Sequence, residues 1–143
     1  CGISHDMICG FPDETENDHL DTISLMNKVK YDFGFMFKYS ERPGTLAARK
    51  FDDNVPEEVK QRRLSEIIDL QLKHSFENLS NYINKYSNVL IEKESKKSKE
   101  YWCGRNPQNI MVVFPKDDFK IGDYAKVKIL SNTSTTLIGK GFK

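Results

Sequence analysis

The chain has 143 residues, of which 38% are hydrophobic and 30% charged, with a formal net charge of +1. That suits one ordinary domain or two small modules with modest cores, and with no apolar run of about eighteen residues it excludes a spanning helix; no membrane partner is expected. The near-neutral total hides a split: acidic residues outnumber basic ones by four before Val89, and basic residues outnumber acidic ones by five from there onward. Two modules are indicated, and only the second is an obvious partner for a polyanion.

Residues 3–10 alternate, with Ile3, His5, Met7 and Cys9 on one face and Ser4, Asp6, Ile8 and Gly10 on the other, as in a strand with one polar face. Phe11 to Glu14 then turn, and Thr15 with Asp18 fits a capping box for a helix bearing Leu20, Ile23, Met26 and Val29 on one side. It ends near Lys30. Residues 31–40 make a second strand. Tyr31, Phe33, Phe35, Phe37 and Tyr39 form one face, which is expected to pack against helices. Gly34, Lys38 and Ser40 are expected to look inward with Ser4, Asp6 and Gly10, outlining a ligand cavity. Strand, helix, strand is parallel α/β order. Arg42 to Thr45 form a turn, a short helix covers 46–50, and Pro56 opens a long helix striped by Val59, Leu64, Ile68, Leu72, Phe76, Leu79 and Ile83. From Val89 the pattern becomes five short strands, at 89–94, 99–105, 109–114, 123–131 and 135–141. Such spacing points to a small closed barrel of the OB-like kind.

The cysteines are Cys1, Cys9 and Cys103, with no CxxC or CxxxCxxC set among them. Their odd count and wide spacing read as reduced thiols of a cytoplasmic protein, Cys9 and Cys103 being small buried hydrophobes. No signal peptide opens the chain, and Cys1 lies in an apolar segment, so the chain reads as a piece of a longer protein. His5 is expected to be packed or hydrogen-bonded, and His19 and His74 to be solvated; none is assigned to a metal. No Ser–His–Asp set and no phosphate-binding glycine loop is present.

Loops at the C-terminal ends of α/β-barrel strands carry ligand chemistry. The candidates there are Asp6, Gly10, Glu14, Lys38, Ser40 and Arg42. Glycine lets backbone approach a ligand, carboxylates suit hydroxyls and amines, and arginine suits a carboxylate or phosphate. Each has a plain structural reading beside it: a tight turn for Gly10, a favourable helix-start charge for Glu14, a buried ion pair for Asp6 and Lys38, a surface arginine for Arg42. In the basic half, Lys96, Lys97, Lys99, Arg105, Lys126 and Lys128 are interleaved with Tyr101, Trp102, Phe114, Phe119 and Tyr124. Lysines and rings together suit single-stranded nucleic acid, or else a small aromatic core beneath a soluble surface. Tyr101 and Trp102 are adjacent, so both cannot face inward.

Residues 6–15, DMICGFPDET, resemble the DxIxGFPGET segment of the radical-SAM methylthiotransferases, and residues 39–48, YSERPGTLAA, resemble their YSxRPGTxAA segment. The run from Asp53 to Leu64 is similar to their DxVPEEVKxxRL segment. Gly104-Arg105-Asn106-Pro107-Gln108-Asn109, Gly122 to Val127 and Ser134 to Gly139 resemble the core and ending motifs of the TRAM domain. The resemblance covers essentially the whole chain in the family's order. It implies the C-terminal strands and helices of a radical-SAM partial TIM-like barrel over residues 1–85, then an all-β OB-like TRAM barrel over 86–143. Arg42-Pro43 and the Gly104–Asn109 form favour the tRNA-modifying branch. The sister branch acting on a small-subunit ribosomal protein and a pure RNA-binding module are the alternatives.

That branch adds a 2-methylthio group to N6-isopentenyladenosine at tRNA position 37, using S-adenosyl-L-methionine (SAM) and two 4Fe–4S clusters. The resemblance places the strand ending at Gly10 beside SAM, with Ser40 and Arg42 near the cofactor or substrate. It assigns the tRNA anticodon arm to the TRAM domain, where Asn109 joins the basic candidates. The cluster-binding cysteine sets of the family are absent, so the chain alone is expected to be inactive. The whole enzyme is expected to be a monomer, while an exposed edge on the first strand could let this piece dimerise. Asp13 stands where the family has Gly, and local adjustment is expected there.

Overall fold

A computed structural model describes residues 2–142. The chain divides into two compact units, one made of Ile3–Leu72 and the other containing residues 73–142. The division falls inside one helix, not at a linker.

In the first unit β1 (Ser4–Cys9) runs parallel to β2 (Phe33–Lys38), with α1 (Glu16–Val29) between them. The capping box forms as the sequence indicates. The Asp18 backbone N–H donates to Thr15 Oγ1 at 3.2 Å, and Asp18 Oδ2 accepts from the Thr15 N–H at 2.8 Å. Lys30 closes the helix in the left-handed region at φ 52°. Its buried stripe differs from the expected one: Met26 and His19 are buried, while Leu20 and Val29 are exposed. A polar residue replaces an apolar one in the stripe because Glu66 is there to receive it. α2 (Leu46–Lys50) starts on Thr45, and α3 (Glu57–Ser80) follows.

The expected facing of β2 is reversed. Phe33, Phe35 and Phe37 are 44%, 60% and 55% exposed, and Gly34, Met36 and Lys38 are the residues turned to the helices. In register, Ser4 lies beside Phe33, Asp6 beside Phe35 and Ile8 beside Phe37, so these six share one open face. The opposite face must hold the His5 ring, which bonds Gln71 of α3 at 2.9 Å. Gly34 leaves room for it, because a β-carbon there would collide with that ring. Met36 joins Met7, Ile23, Leu64 and Leu70 around the core of Cys9, Met26 and Ile67. Lys38 therefore faces away from Asp6, and the Asp6–Lys38 pair does not form.

In the second unit, β3 (Tyr86–Glu94), β4 (Tyr101–Arg105), β5 (Met111–Pro115), β6 (Tyr124–Asn132) and β7 (Thr136–Phe142) match the five expected strands. They close a barrel in the order β3-β4-β5-β7-β6, with β6 pairing back to β3 and only β5–β7 parallel. Alternation sends Val89, Ile91, Val112, Phe114, Ala125, Val127, Ile129 and Leu137 into the core, with Leu79 from the end of α3 among them. Trp102 is the inward member of its pair and Tyr101 is half-buried. The indole N–H donates to the Lys116 carbonyl at 3.0 Å, so burial leaves no polar atom unmet.

Candidate cofactor face and nucleic-acid interface

The buried side of α3 in the first unit is mostly polar. Lys60, Arg63 and Gln71 are 3–4% exposed, with Ile67 at 1% between them. Each polar group pins a different segment. Lys60 Nζ donates to both Asp53 carboxylate oxygens at 2.5 and 2.7 Å and lies 5.4 Å from the Tyr39 ring centre. Arg63 donates to the Glu14 carbonyl at 3.0 Å and to Glu14 Oε1 at 2.7 Å, and reaches Glu16 at 3.2 Å. Gln71 bonds the His5 ring at 2.9 Å and donates to the Tyr31 carbonyl at 2.9 Å. The strand starts, the strand ends and the loop after α2 are thus held by one helix face. Sequence reasoning missed Lys60, Arg63 and Gln71. Their spacing from Lys60 to Gln71 is helical, which is the signal that was available.

His19 also departs from expectation. It is 1% exposed, and its Nε2–H donates to Glu66 Oε2 at 2.6 Å. His74 is likewise buried, at 2%. The His19 bond first, and then the Arg62 bond, hold the Glu66 carboxyl below the ordinary carboxylate range. A carboxylate with a depressed folded-state pKa stabilises fully above its unfolded value, and that contribution disappears as pH falls through the folded value. The melting temperature of the first unit is therefore expected to hold from pH 7 to about 5 and to fall below about pH 4.3. Glu66→Gln should lower it at neutral pH and make the acid loss shallower. A pH series of thermal melts checks both.

The six cofactor-face candidates do not form one cluster, although Gly10 and Glu14 are hydrogen-bonded to each other. Gly10 sits at φ +72° with Lys60 Cβ 3.1 Å from where its own β-carbon would be, so backbone conformation and the lysine stem both demand glycine. Glu14 accepts from the Gly10 N–H at 2.8 Å and from Arg63, which places its carboxylate in the loop's own framework. Lys38 pairs with Glu57 and lies 3.4 Å from Gln61. Asp6 is on the open face, and Ser40 and Arg42 are exposed in the loop after β2. Asp13 takes the left-handed conformation at φ 66°. Asn54 holds it there, accepting from the Asp13 N–H at 2.9 Å and donating to Asp13 Oδ1 at 2.6 Å. This is the local adjustment that a non-glycine residue requires.

An iron–sulfur cluster does not fit the described cysteines. Burial first, and then the Glu14 charge, push the Cys9 thiol upward, and its Sγ contacts the Phe37 and Lys60 carbonyls at 3.5 and 3.7 Å. Burial likewise pushes Cys103 up. They are two buried thiols in different units, whereas a cluster takes several cysteine thiolates at one site.

In the second unit the basic candidates fall into separate groups. Lys96, Lys97 and Lys99 are exposed in the loop beyond Glu94. Lys126 and Lys128 stand opposite Asn88 and Tyr86, near the other end of β3. About six residues of strand separate the groups, roughly 20 Å. Arg105 donates to the Asn109 carbonyl at 2.9 Å and to Asn109 Oδ1 at 3.0 Å, and lies 3.7 Å from Glu92. With Asn109 at φ 63° and Asn106 Oδ1 accepting from the Gln108 and Ile110 N–H groups, this pair shapes the β4–β5 turn.

Comparison with known proteins follows the same division. The sequence model of the TRAM domain matches residues 81–141. The chain is 62% identical over 140 residues to the tRNA-2-methylthio-N(6)-dimethylallyladenosine synthase of Christiangramia forsetii, which covers 98% of this chain and 29% of that protein. The protein of the same name from Flavobacterium johnsoniae is 60% identical over 138 residues, 96% of this chain and 29% of its own length. That from Chloroherpeton thalassium is 54% identical over 139 residues, 97% of this chain and 31% of its own. The chain spans about 30% of the length of the curated relatives it matches, through both units. It belongs to the methylthiotransferase family that these relatives represent, as a segment that carries the TRAM domain.

Proposed function

We propose that this chain is the C-terminal part of a tRNA methylthiotransferase, which adds a 2-methylthio group to N6-isopentenyladenosine at tRNA position 37. The single observation that carries the reading is identity above 50% through both units to proteins of that name. The α/β unit contributes the end of the catalytic barrel, and the TRAM barrel holds the tRNA anticodon arm. In the whole protein SAM and two 4Fe–4S clusters supply the radical and sulfur chemistry. The cluster ligands lie outside this chain, which is inactive alone. Asp6, Ser40 and Arg42 present polar groups toward SAM, while Gly10, Glu14 and Lys38 act indirectly by fixing the loops that carry them. The whole enzyme works as a monomer in the cytoplasm. In this piece β1 pairs with β2 alone among the described residues, and its free edge gives a route to dimers.

The test is binding of the 143-residue chain to an anticodon stem-loop carrying isopentenyladenosine, beside a small-subunit ribosomal protein, across a salt series. The stem-loop is expected to bind selectively. Its affinity should fall with salt by a slope that counts the phosphates neutralised. Affinity for the ribosomal protein with none for RNA would move the assignment to the sister branch.

A further inference from the structure

On the barrel's outer face, where β6 lies between β3 and β7, we propose that Tyr86, Tyr124 and Phe142 form a stacking platform for unpaired RNA bases, flanked by lysines that take the phosphates. This rests on the reading that the barrel binds RNA, and it names the part of the barrel that does so. The alternation that buries Ala125, Val127 and Ile129 turns Tyr124, Lys126 and Lys128 outward. Register then assembles the face. Tyr86 stands opposite Lys128, Asn88 opposite Lys126, Phe142 opposite Lys126 and Lys140 opposite Lys128.

Three rings stay in solvent although the barrel is filled without them: Tyr124 is 74% exposed, Tyr86 55% and Phe142 41%. Tyr86 and Phe142 meet edge to face at 5.9 Å, and Lys126 Nζ lies 5.1 Å from the Tyr86 ring centre. Tyr86 and Phe142 are therefore held in place before a ligand arrives, with cationic charge beside Tyr86, and Tyr124 is the most exposed of the three. A shallow groove runs past Asn88, Phe119, Tyr124, Lys126 and Phe142. Two carboxylates, Asp118 and Asp123, stand at its β5–β6 loop end. They repel phosphate there, so the Tyr124 end suits a base and the rows of Lys126, Lys128 and Lys140 suit the backbone. Aromatic platforms in a positive groove are how small barrels hold single strands without demanding one sequence. Lys96, Lys97 and Lys99 supply charge alone.

The experiment uses the 143-residue chain and a fluorescent anticodon stem-loop, with a fully paired duplex RNA for comparison. Tyr86→Ala and Tyr124→Ala are each expected to weaken stem-loop binding about 5- to 100-fold. The same changes should leave duplex binding and the salt slope nearly unchanged. Tyr86→Phe and Tyr124→Phe should bind within about 2-fold of the parent, since stacking needs the ring and not the hydroxyl. Lys126→Ala with Lys128→Ala should flatten the salt slope by about two phosphates. Both tyrosines are exposed, and unchanged melting curves will show that the Ala variants fold.

Three results would overturn the platform. If Ala variants bind like the parent while Lys96→Ala, Lys97→Ala and Lys99→Ala together abolish binding, RNA binding stands and the platform falls. If the parent binds no RNA at all, the RNA reading itself fails and takes the platform with it. If the chain self-associates and Tyr86→Ala dissolves the dimer without changing RNA affinity, the face is a contact between copies.

Discussion

Phe114→Ala is expected to destabilise the barrel unit by about 3–5 kcal/mol, the cost of truncating a fully buried phenylalanine. Phe114 is 0% exposed, stands opposite Trp102 in the β4–β5 register, and meets Phe119 edge to face at 6.0 Å. Its ring also lies beside Gly141, where a β-carbon would already be within 3.2 Å of it. Around it the closed barrel packs β-branched and leucine side chains together with the Trp102 and Phe119 rings. A closed barrel relaxes only partly into the space left by the lost atoms. For a unit of this size each kcal/mol moves the melting temperature by about 4–8 °C, so a fall of at least about 12 °C is expected. Trp102 is the only tryptophan in the chain and lies in the same core, so its fluorescence reports this transition directly. Phe114→Leu should lose less. A loss below about 1 kcal/mol for the alanine variant would mean that the barrel core repacks freely.

Arg63→Ala is expected to cost the first unit about 3–5 kcal/mol, because it removes one member of a buried ion pair and strands the other. Arg63 is 4% exposed and Glu14, its main partner, 15%. The effect should be local in a way that can be seen. Glu14 Oε2 accepts the Gly10 N–H, and the same carboxylate is held by Arg63. Without the guanidinium, Glu14 has reason to leave for solvent and Gly10 loses its acceptor. Hydrogen exchange at the Gly10 amide should therefore accelerate more than exchange at Met26, which is buried in the same unit. Arg63→Ala combined with Glu14→Gln should recover part of the loss, since a neutral amide costs less to leave unpaired. Equal acceleration at both amides would mean global loosening and no specific clamp.

Much of this architecture can be read along the chain. Thr15 and Asp18 announce the start of α1, Pro56 precedes α3, and alternation runs through much of β3, β5, β6 and β7. Asn106 and Asn109 stand where the β4–β5 turn needs a side-chain acceptor and a left-handed residue. What could not be read was which face of β2 is covered. Three phenylalanines in alternation look like a core face by any hydrophobicity count. The face that meets the helices is instead the one with Gly34, because the His5 ring that reaches Gln71 of α3 needs the space a side chain there would fill. The polar stripe of α3 was hidden for a related reason. Lysine, arginine and glutamine count as solvent-facing until partners from distant segments are known, and theirs are Asp53, Glu14, His5 and the Tyr31 carbonyl.

The sequence by itself determined the order and type of the elements, the division into an α/β unit and a β-barrel, and the family. These rest on local periodicity, caps and ordered motifs, which neighbours along the chain decide. Only the tertiary structure decided which candidate side chains are free for a ligand. Glu14 and Lys38 are drawn into contacts with α3, Arg105 and Asn109 into one turn, and Lys126 and Lys128 onto a face with Tyr86 and Phe142. Each of those outcomes depends on a residue at least four positions away and usually more than a dozen, brought near by packing. Sequence spacing carries no record of it.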